Sequence, residues 1–191
     1  MNDLAAERGR TDNNRTHVAK ISAIWRTRVE SGHRMVKTLA DGWTLSVIAR
    51  LASGSPLTIT SGRDNNLDGN STDRADAVPG ANPVLDPDRP RSEVVQQWFN
   101  TAAFVENRPF TDGNTARNIL DGPGYKIFDL GMYRDFGLGG RRMLQFRIEG
   151  TNAFNTVNLN NPTTNVRNAT YGQIRSARQM RQVQLGLRFS F

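Results

Sequence analysis

The residues best placed to do chemistry lie in the run Asp64-Asn65-Asn66-Leu67-Asp68-Gly69. Oxygen-bearing side chains occupy its first, third and fifth positions, at Asp64, Asn66 and Asp68, and Gly69 follows at the sixth. This order is typical of the start of a calcium-binding loop, because hard oxygen ligands converge on the cation and glycine permits the sharp turn. We therefore predict a calcium site at Asp64, Asn66 and Asp68.

The second half of this loop departs from the calcium pattern. Calcium loops end on a bidentate glutamate at the twelfth position, and Ala75 stands there. Asp73 and Asp76 flank Ala75 and are the candidates to replace the missing carboxylate. The alternative is an Asx-rich turn that is held by its own side chains and binds no metal.

No other group of residues indicates catalysis or a second metal site. The two histidines, His17 and His33, match no zinc-ligand spacing, and no Gly-x-Ser-x-Gly motif is present. Gly137-Leu138-Gly139-Gly140 lacks the Lys-Ser/Thr pair of a phosphate loop and is predicted to be a hairpin turn. Cysteine is absent, which excludes disulfides and thiolate metal sites. We predict a protein that is not an enzyme.

The clearest structural pattern lies in residues 182–191, where every odd position is apolar and every even position is polar or glycine. A period of two predicts a strand with one apolar face and one polar face. About ten residues is also the length of a tilted strand that crosses a bilayer. The final residue, Phe191, is aromatic, as is Phe189.

Four more segments repeat this alternation less cleanly and are predicted to be strands. They are residues 18–26, 42–52, 126–136 and 142–150. The smallest membrane barrels need about eight strands, and unpaired strand edges are not tolerated in lipid. The expected fold is therefore all-β: an antiparallel transmembrane β-barrel segment of about five strands from a larger barrel, with the apolar faces pointing outward.

The connections between these strands alternate in length, as they do in transmembrane barrels. The turn at 137–140 is tight, whereas residues 53–125 and 151–180 form two long connections rich in Asn, Gly, Pro and Asp. In an antiparallel series both long connections leave the same end of the sheet. We predict that they are long external loops, with one short helix at 92–99.

Charge and the ends of the chain limit the partners. The net charge is +7, but the basic residues are scattered, and Arg50, Arg147 and Arg188 stand at polar strand positions that suit a water-filled lumen. No nucleic-acid partner is therefore expected. The start of the chain does not resemble a signal peptide. We expect residues 1–191, which carry no signal peptide, to be the C-terminal part of a longer protein or the product of a broken reading frame.

An ordered series of short motifs runs through about residues 10–191. It comprises Gly42-Trp43, Ser53-Gly54-Ser55-Pro56-Leu57-Thr58, the run at 64–69 with Asp73-Arg74, Trp98-Phe99-Asn100-Thr101-Ala102-Ala103-Phe104, Gly113-Asn114-Thr115-Ala116-Arg117-Asn118, Gly122-Pro123-Gly124, Asp129-Leu130, Phe146-Arg147-Ile148-Glu149, Asn152-Ala153-Phe154-Asn155, Asn161-Pro162 and Arg181-Gln182-Val183-Gln184-Leu185. The series resembles the C-terminal region of TonB-dependent outer-membrane receptors, in the subgroup with an N-terminal carboxypeptidase-regulatory-like domain.

This resemblance implies a cell outer-membrane location in a Gram-negative bacterium and a barrel of about 22 strands plugged by an N-terminal domain. It also implies that the plug domain is absent from residues 1–191. It implies nutrient uptake driven by the TonB complex through the parent protein, although this chain alone is not expected to be transport-competent. The partners would be outer-membrane lipid, the rest of the barrel and plug, an unidentified ligand, and the barrel-assembly machinery, which would read Phe189 and Phe191 as an assembly signal.

A different class of protein is also compatible with the residue patterns. The chain would then be a soluble or surface-attached, calcium-stabilised β-sandwich that serves as a binding or adhesion module. The two hypotheses differ in where the apolar strand faces point, because a sandwich packs them against a second sheet and a barrel presents them to lipid.

Overall fold

The computed structural model describes residues 8–30 and 32–191, which divide into two compact units. What we call the sheet unit comprises His17–Ala52, Tyr125–Asn158 and Gln179–Phe191, and the loop unit comprises residues 8–16, Ser53–Gly124 and Leu159–Arg178. None of the described helices has the length and apolar character needed to cross a membrane.

The described elements are mostly short, apart from five long strands. In chain order they are β1 (Val18–Arg26), α1 (Arg34–Ala40), β2 (Trp43–Ala52), β3 (Pro56–Leu57), β4 (Asp76–Ala77), α2 (Arg91–Gln96), a 3₁₀ turn (Thr101–Ala103), β5 (Phe104–Val105), β6 (Leu120–Asp121), β7 (Tyr125–Gly137), β8 (Met143–Thr151) and β9 (Gln182–Ser190).

The five long strands form one antiparallel sheet in the order β1-β2-β7-β8-β9. All five predicted strands are confirmed, with bounds within one residue of the prediction. The other described sheets are two-residue pairs, β3 with β6 and β4 with β5. The described residues thus contain neither a closed barrel nor a second large sheet of the kind that a sandwich needs.

The strand register sorts the side chains onto two faces. Residues directly opposite each other on neighbouring strands share a face, and one such row runs through Trp25, Leu45, Met132, Ile148 and Leu185. The next row runs through polar and small residues instead. The alternation seen in each separate segment is therefore in phase across the whole sheet, and it produces one apolar face and one polar face.

The two ends of this sheet differ in their connections. At what we call the hairpin end, β7 and β8 are joined by a tight turn, as predicted. The backbone N–H of Leu138 donates to the Arg142 carbonyl at 3.0 Å. Gly139 and Gly140 have φ of 93° and 61°, a region that side chains disfavour. At the opposite, open end lie the starts of β1, β7 and β9 and the ends of β2 and β8.

Helix α1 lies in the connection between β1 and β2, where no helix was predicted. Lys37 and Asp41 donate their backbone N–H groups to the carbonyls four residues earlier, at 3.1 Å each. His33 at the N-cap makes no side-chain cap hydrogen bond. The helix has only seven residues, fewer than two full turns, so its periodicity is easily missed in a single sequence.

The loop unit has a hydrophobic core of its own, so the two long connections are folded. The buried residues of this core are Leu57, Ile59, Ala75, Phe99, Ala103, Phe104 and Leu120. Phe99 is 2% exposed and packs edge-on against Phe104 and Tyr171, with ring centroids 6.1 and 5.4 Å apart. Residues 151–158, predicted to begin the second long loop, belong to the sheet unit.

The helix expected at 92–99 is present but shifted, as α2 (Arg91–Gln96). Ser92 does not cap it, because Pro90 occupies the N-cap position and its carbonyl accepts the N–H groups of Glu93 and Val94 at 2.9 and 3.1 Å. Trp98 lies beyond the helix and donates its indole N–H to the Asp121 carbonyl at 2.8 Å. Proline suits a helix start because it lacks the N–H that would be unpaired there.

The backbone of the loop unit is closely packed around Gly113. The φ of Gly113 is +76°, and an added Cβ would lie 2.0 Å from the Arg74 carbonyl oxygen. Gly80 has the same φ of +76° but open space around it. We expect Gly80→Ala to cost about 1–2 kcal/mol from backbone conformation alone, and Gly113→Ala to cost about 1–3 kcal/mol more from the clash.

The measurement is the urea midpoint of unfolding, followed by Trp98 fluorescence in a chain whose Trp25 and Trp43 are replaced by Phe. Equal midpoints for Gly113→Ala and Gly80→Ala would contradict the close backbone approach at Gly113.

Candidate functional site

The structure gathers three carboxylates of the loop unit, those of Asp64, Asp68 and Asp73. One oxygen from each lies within 4.8 Å of the other two. Asp73 is buried at 8% exposure, whereas Asp68 is exposed. Two of the three predicted ligands are therefore brought together, with Asp73 as the third carboxylate.

Backbone amides already hold these carboxylates in place. The Asp64 side chain accepts the N–H of Asp68 at 3.0 Å and that of Gly69 at 2.9 Å. Asp73 Oδ2 accepts the N–H of Asn65 at 2.7 Å and that of Asn66 at 3.0 Å. These bonds hold the turn by its own side chains, as the alternative interpretation requires.

The remaining predicted ligand, Asn66, lies beside the cluster. The backbone N–H of Asp68 donates to two oxygens, Asn66 Oδ1 and Asp64 Oδ1, each at 3.0 Å. Asn66 Nδ2 donates to Asp112 Oδ1 at 2.6 Å. Asp76 takes no part, because its carboxylate accepts the N–H groups of Asn114 and Arg108.

This arrangement offers a hard cation three carboxylates and one amide oxygen. Calcium takes about 6–8 oxygen ligands, so backbone carbonyls or water would have to complete the shell. Ala75, at the position of the bidentate glutamate, is fully buried in the core, and Asp73 is the flanking carboxylate that joins the cluster. The calcium site stays a prediction, and the same contacts explain the turn without a metal.

A second charged group of the loop unit centres on Glu106. Its carboxylate binds Arg167 Nη1 at 2.8 Å and lies 3.8 Å from Arg63 Nη1. The hydrogen bond from Arg167 is the main cause that holds the pKa of Glu106 below its ordinary value, and Asn65 and the Arg63 charge add to it. The carboxylate is therefore ionised at neutral pH and links the chain around residue 65 to residue 167.

The polar face of the sheet carries cations, amides and hydroxyls. One cross-strand row runs through Arg26, Thr44, Tyr133, Arg147 and Gly186. Such a face can line an aqueous lumen, where charged side chains stay hydrated.

One ion pair on this face ties β2 to β7. Arg50 Nη2 lies 2.5 Å from Asp129 Oδ2. The other oxygen of Asp129 accepts the N–H of Asn152 at 2.9 Å. Asn152 is 3% exposed, so this asparagine serves the turn after β8 and does not project toward a ligand.

Three cations of the polar face form no ion pair with any described residue: Lys20, Arg26 and Arg188. Arg188 borders a shallow cavity of about 220 Å³ between β8 and β9, which Gln145, Arg147, Glu149 and Gln184 also line. Arg147 is paired with Glu149 at 3.1 Å. The cavity therefore presents one uncompensated guanidinium together with amides, a combination suited to a polar or anionic group.

Most of the apolar face is left open by the described residues, although Phe154 packs edge-on against Phe128 with ring centroids 5.3 Å apart. The main cluster of buried hydrophobic residues lies in the loop unit, and Ala49 is buried within the sheet. On β9, Leu185, Leu187 and Phe189 are 68%, 73% and 52% exposed. Residues of the inner strands on this face, Leu45, Val47, Leu144 and Phe146, are half-buried between their strand neighbours. The apolar faces therefore share one side as predicted, but neighbouring strands on both sides reduce the exposure of the inner-strand residues.

Two cations mark the limits of this apolar face on β7, Lys126 toward the open end and Arg134 toward the hairpin end. Between them the face carries Phe128, Leu130 and Met132. The eight residue steps from Lys126 to Arg134, at about 3.4 Å each, span about 27 Å along the strand. If the strand is tilted by about 40° from the membrane normal, this length corresponds to a height of about 21 Å across the membrane. The apolar band of outer-membrane barrels is about 25 Å tall, and long cationic side chains extend outward from such a band.

Aromatic residues cluster at the hairpin end of the apolar face. Trp43 packs edge-on against Phe146, with centroids 6.2 Å apart, and Arg134 lies over the rings of Trp43 and Phe136 at 5.7 and 4.8 Å. Trp25 is on the same face. These positions fit an interfacial girdle. Tyr133, in the row of Thr44 and Arg147, lies on the polar face.

The two predicted assembly-signal residues lie together at the hairpin end. Phe189 faces the apolar side opposite Leu144, and its ring stacks on Phe191 at 5.8 Å. Phe191 is 93% exposed. The outer edge of β9 has no strand partner among the described residues. Recognition by the assembly machinery stays a prediction.

Calcium binding by the loop unit is tested by calorimetry. If the carboxylates hold calcium, titrating the ion into the chain releases heat, and Asp68→Asn removes it because Asp68 is exposed and contributes a ligand charge. Asp86→Asn is the matched control, because Asp86 makes a similar turn contact, to the N–H of Asp88 at 2.9 Å, outside the cluster. Absence of calcium-dependent heat in the unaltered chain would leave only the turn.

Comparison with known proteins agrees with the two-faced sheet. The chain matches the family described as outer membrane beta barrel domain over residues 1–184. No curated protein and no solved structure matches it. The match covers nearly the whole chain, so the protein is located in the outer membrane. The chain belongs to the outer membrane beta barrel domain family.

Proposed function

We propose that this chain forms part of the barrel wall of a TonB-dependent receptor that takes up a nutrient across the outer membrane. The observation that carries the proposal is the continuous, two-faced sheet with both edges open. Its apolar face meets lipid and its polar face lines a lumen. The ordered motif series from Gly42-Trp43 to the Arg181–Leu185 segment supports the receptor subgroup.

The number of strands supports a larger barrel. In an antiparallel sheet of five strands, β1 and β9 run in the same direction. Pairing them directly would make a parallel contact, whereas bacterial outer-membrane barrels are antiparallel with an even number of strands. An odd number of further strands must therefore lie between the two edges. This requirement fits a chain that supplies one portion of a barrel.

The lumen-facing side chains suit passage of a polar solute and offer no catalytic arrangement. Lys20, Arg26 and Arg188 present uncompensated positive charge, which favours a polar or anionic occupant. The occupant of the lumen is the nutrient or the plug domain. The TonB complex acts through the parent protein. The loop unit, which we assign to the external side, would then help to recognise the ligand.

Neighbouring positions on β9 test the membrane-spanning role. Leu187 shares a cross-strand row with Phe146 and Arg134, toward the hairpin-end limit of the apolar band. We therefore expect Leu187→Arg to cost about 1–2 kcal/mol, below the cost at mid-bilayer, and Arg188→Leu to cost far less because it faces the lumen. The measurement is the level of folded protein in the outer-membrane fraction. Leu187→Met, which conserves volume, is the control and should change little. Equal, mild effects of the 187 and 188 substitutions would show that β9 does not span the membrane.

Energy coupling is tested separately. Cells that carry the complete receptor are compared with and without the TonB complex, using ferric chelates and oligosaccharides as probes. We expect receptor-dependent uptake to disappear without the complex, while the receptor level in the outer membrane stays unchanged. Receptor-dependent uptake that persists without the complex would contradict the TonB assignment and leave the barrel assignment intact.

A further inference from the structure

Helix α1 has an exposed apolar side and a basic side. Met35, Val36 and Leu39 lie on one side of the helix because their spacings are one, three and four residues. They are 76%, 47% and 68% exposed. Arg34 and Lys37, three residues apart, lie on the opposite side. Such a distribution is typical of helices that lie in a membrane interface.

The C-terminal turn of α1 is attached to the lipid-facing side of the sheet. The Leu39 carbonyl accepts the Trp43 indole N–H at 2.7 Å and Arg134 Nη1 at 3.2 Å. Trp43 and Arg134 both lie on the apolar face at the hairpin end. The Ala40 carbonyl accepts the Thr27 hydroxyl at 2.8 Å. The helix is thus held where the apolar band of the sheet ends.

The loop that follows the helix is fixed as well. Asp41 Oδ1 accepts the Val29 N–H at 3.0 Å. That bond is the main cause that lowers the pKa of the Asp41 carboxyl, and the charges of Lys37 and Arg134 contribute. With the carboxylate ionised, the end of the helix stays tied to the chain after β1. The apolar side of α1 therefore has a defined position and is not a freely moving tail.

We propose that α1 is an interfacial anchor, with Met35, Val36 and Leu39 inserted into the phospholipid leaflet at the hairpin end and Arg34 and Lys37 at the lipid phosphates. The helix is continuous with a surface that already contacts lipid in this outer-membrane protein. Its positive charges complement phosphate groups. This proposal rests on the proposed function in one respect: the hairpin end is assigned to the periplasmic side of the membrane.

Lipid also explains why so short a helix is stable. Seven residues are too few for an isolated helix in water, since nucleation is costly and few hydrogen bonds repay it. Burying the apolar side in the leaflet supplies stabilisation that water cannot. Trp25 and Trp43 at the same end belong to the residue types that favour the headgroup level.

Single-cysteine variants test this placement, and the cysteine-free chain needs no background substitution. Because five strands with open edges do not close in lipid, the variants are made in the complete receptor, which is refolded into vesicles of phosphatidylethanolamine and phosphatidylglycerol with an environment-sensitive fluorophore at Leu39→Cys. Thr38→Cys, on the polar side of α1, is the matched control. Leu187→Cys on β9 reports whether the sheet itself has entered the bilayer. Quenching is measured with lipids brominated near the headgroup or near the bilayer centre, and with aqueous iodide.

We expect the label at 39 to be quenched several-fold more by shallow bromines than the label at 38, and the reverse order with iodide. The label at 187, on the apolar face in the row of Arg134, should be quenched by brominated lipid as well and protected from iodide. If the labels at 39 and 38 respond alike to iodide while 187 is quenched by lipid, the anchor is overturned and the membrane-spanning sheet stands. If none of the labels is quenched by lipid, both the anchor and the spanning sheet are overturned.

Discussion

The pairing register of β1, β2, β7, β8 and β9 is the constraint on which the rest of this protein depends. Side chains along a strand alternate between faces, so a slip of one residue in any pair would move a whole strand's apolar set to the other side. The observed register keeps Trp25, Leu45 and Leu185 in one row. It also brings Arg50 within 2.5 Å of Asp129 on the opposite face. A lipid-facing surface and a hydrated surface follow from the same set of backbone hydrogen bonds.

The loop unit is stabilised by different interactions from those of the sheet. Its strands are only two residues long, so ladders of backbone bonds cannot hold it. A small core around Phe99 and Ile59 is supplemented by Asn and Asp side chains that bind backbone groups. Arg10, for example, donates to the Asn118 carbonyl at 2.8 Å, and the amide of Asn118 returns a bond to the Arg10 carbonyl. Polar residues that suggest ligand binding in the sequence are therefore largely occupied with structure.

Two features of the sheet relate to the membrane: its open edges and the residues at its hairpin end. Backbone groups cannot remain unpaired in hydrocarbon, so the open edges of β1 and β9 call for further strands. Lys126 and Arg134 limit the apolar band along β7, because extended cationic side chains reach toward water. Arg134 joins the aromatic rings to α1 through the Leu39 carbonyl. One end of the sheet thus combines features of a strand and of an interfacial helix.

The sequence by itself determined the five long strands, their two faces and the tight turn at 137–140, because a period of two and a glycine-rich turn are local signals. It also pointed to the outer membrane through the length of the alternating segment at 182–191. The bounds of these strands are correct to within a residue because the alternation of apolar and polar positions itself ends near each bound.

Only the tertiary structure decided which distant residues meet. It placed Asp73 beside Asp64 and Asp68, paired Glu106 with Arg167, and folded the long connections around Phe99. It also revealed α1, whose seven residues are too few for a periodic signal. These features depend on contacts between segments far apart in the chain, and no local pattern of residue types specifies such contacts.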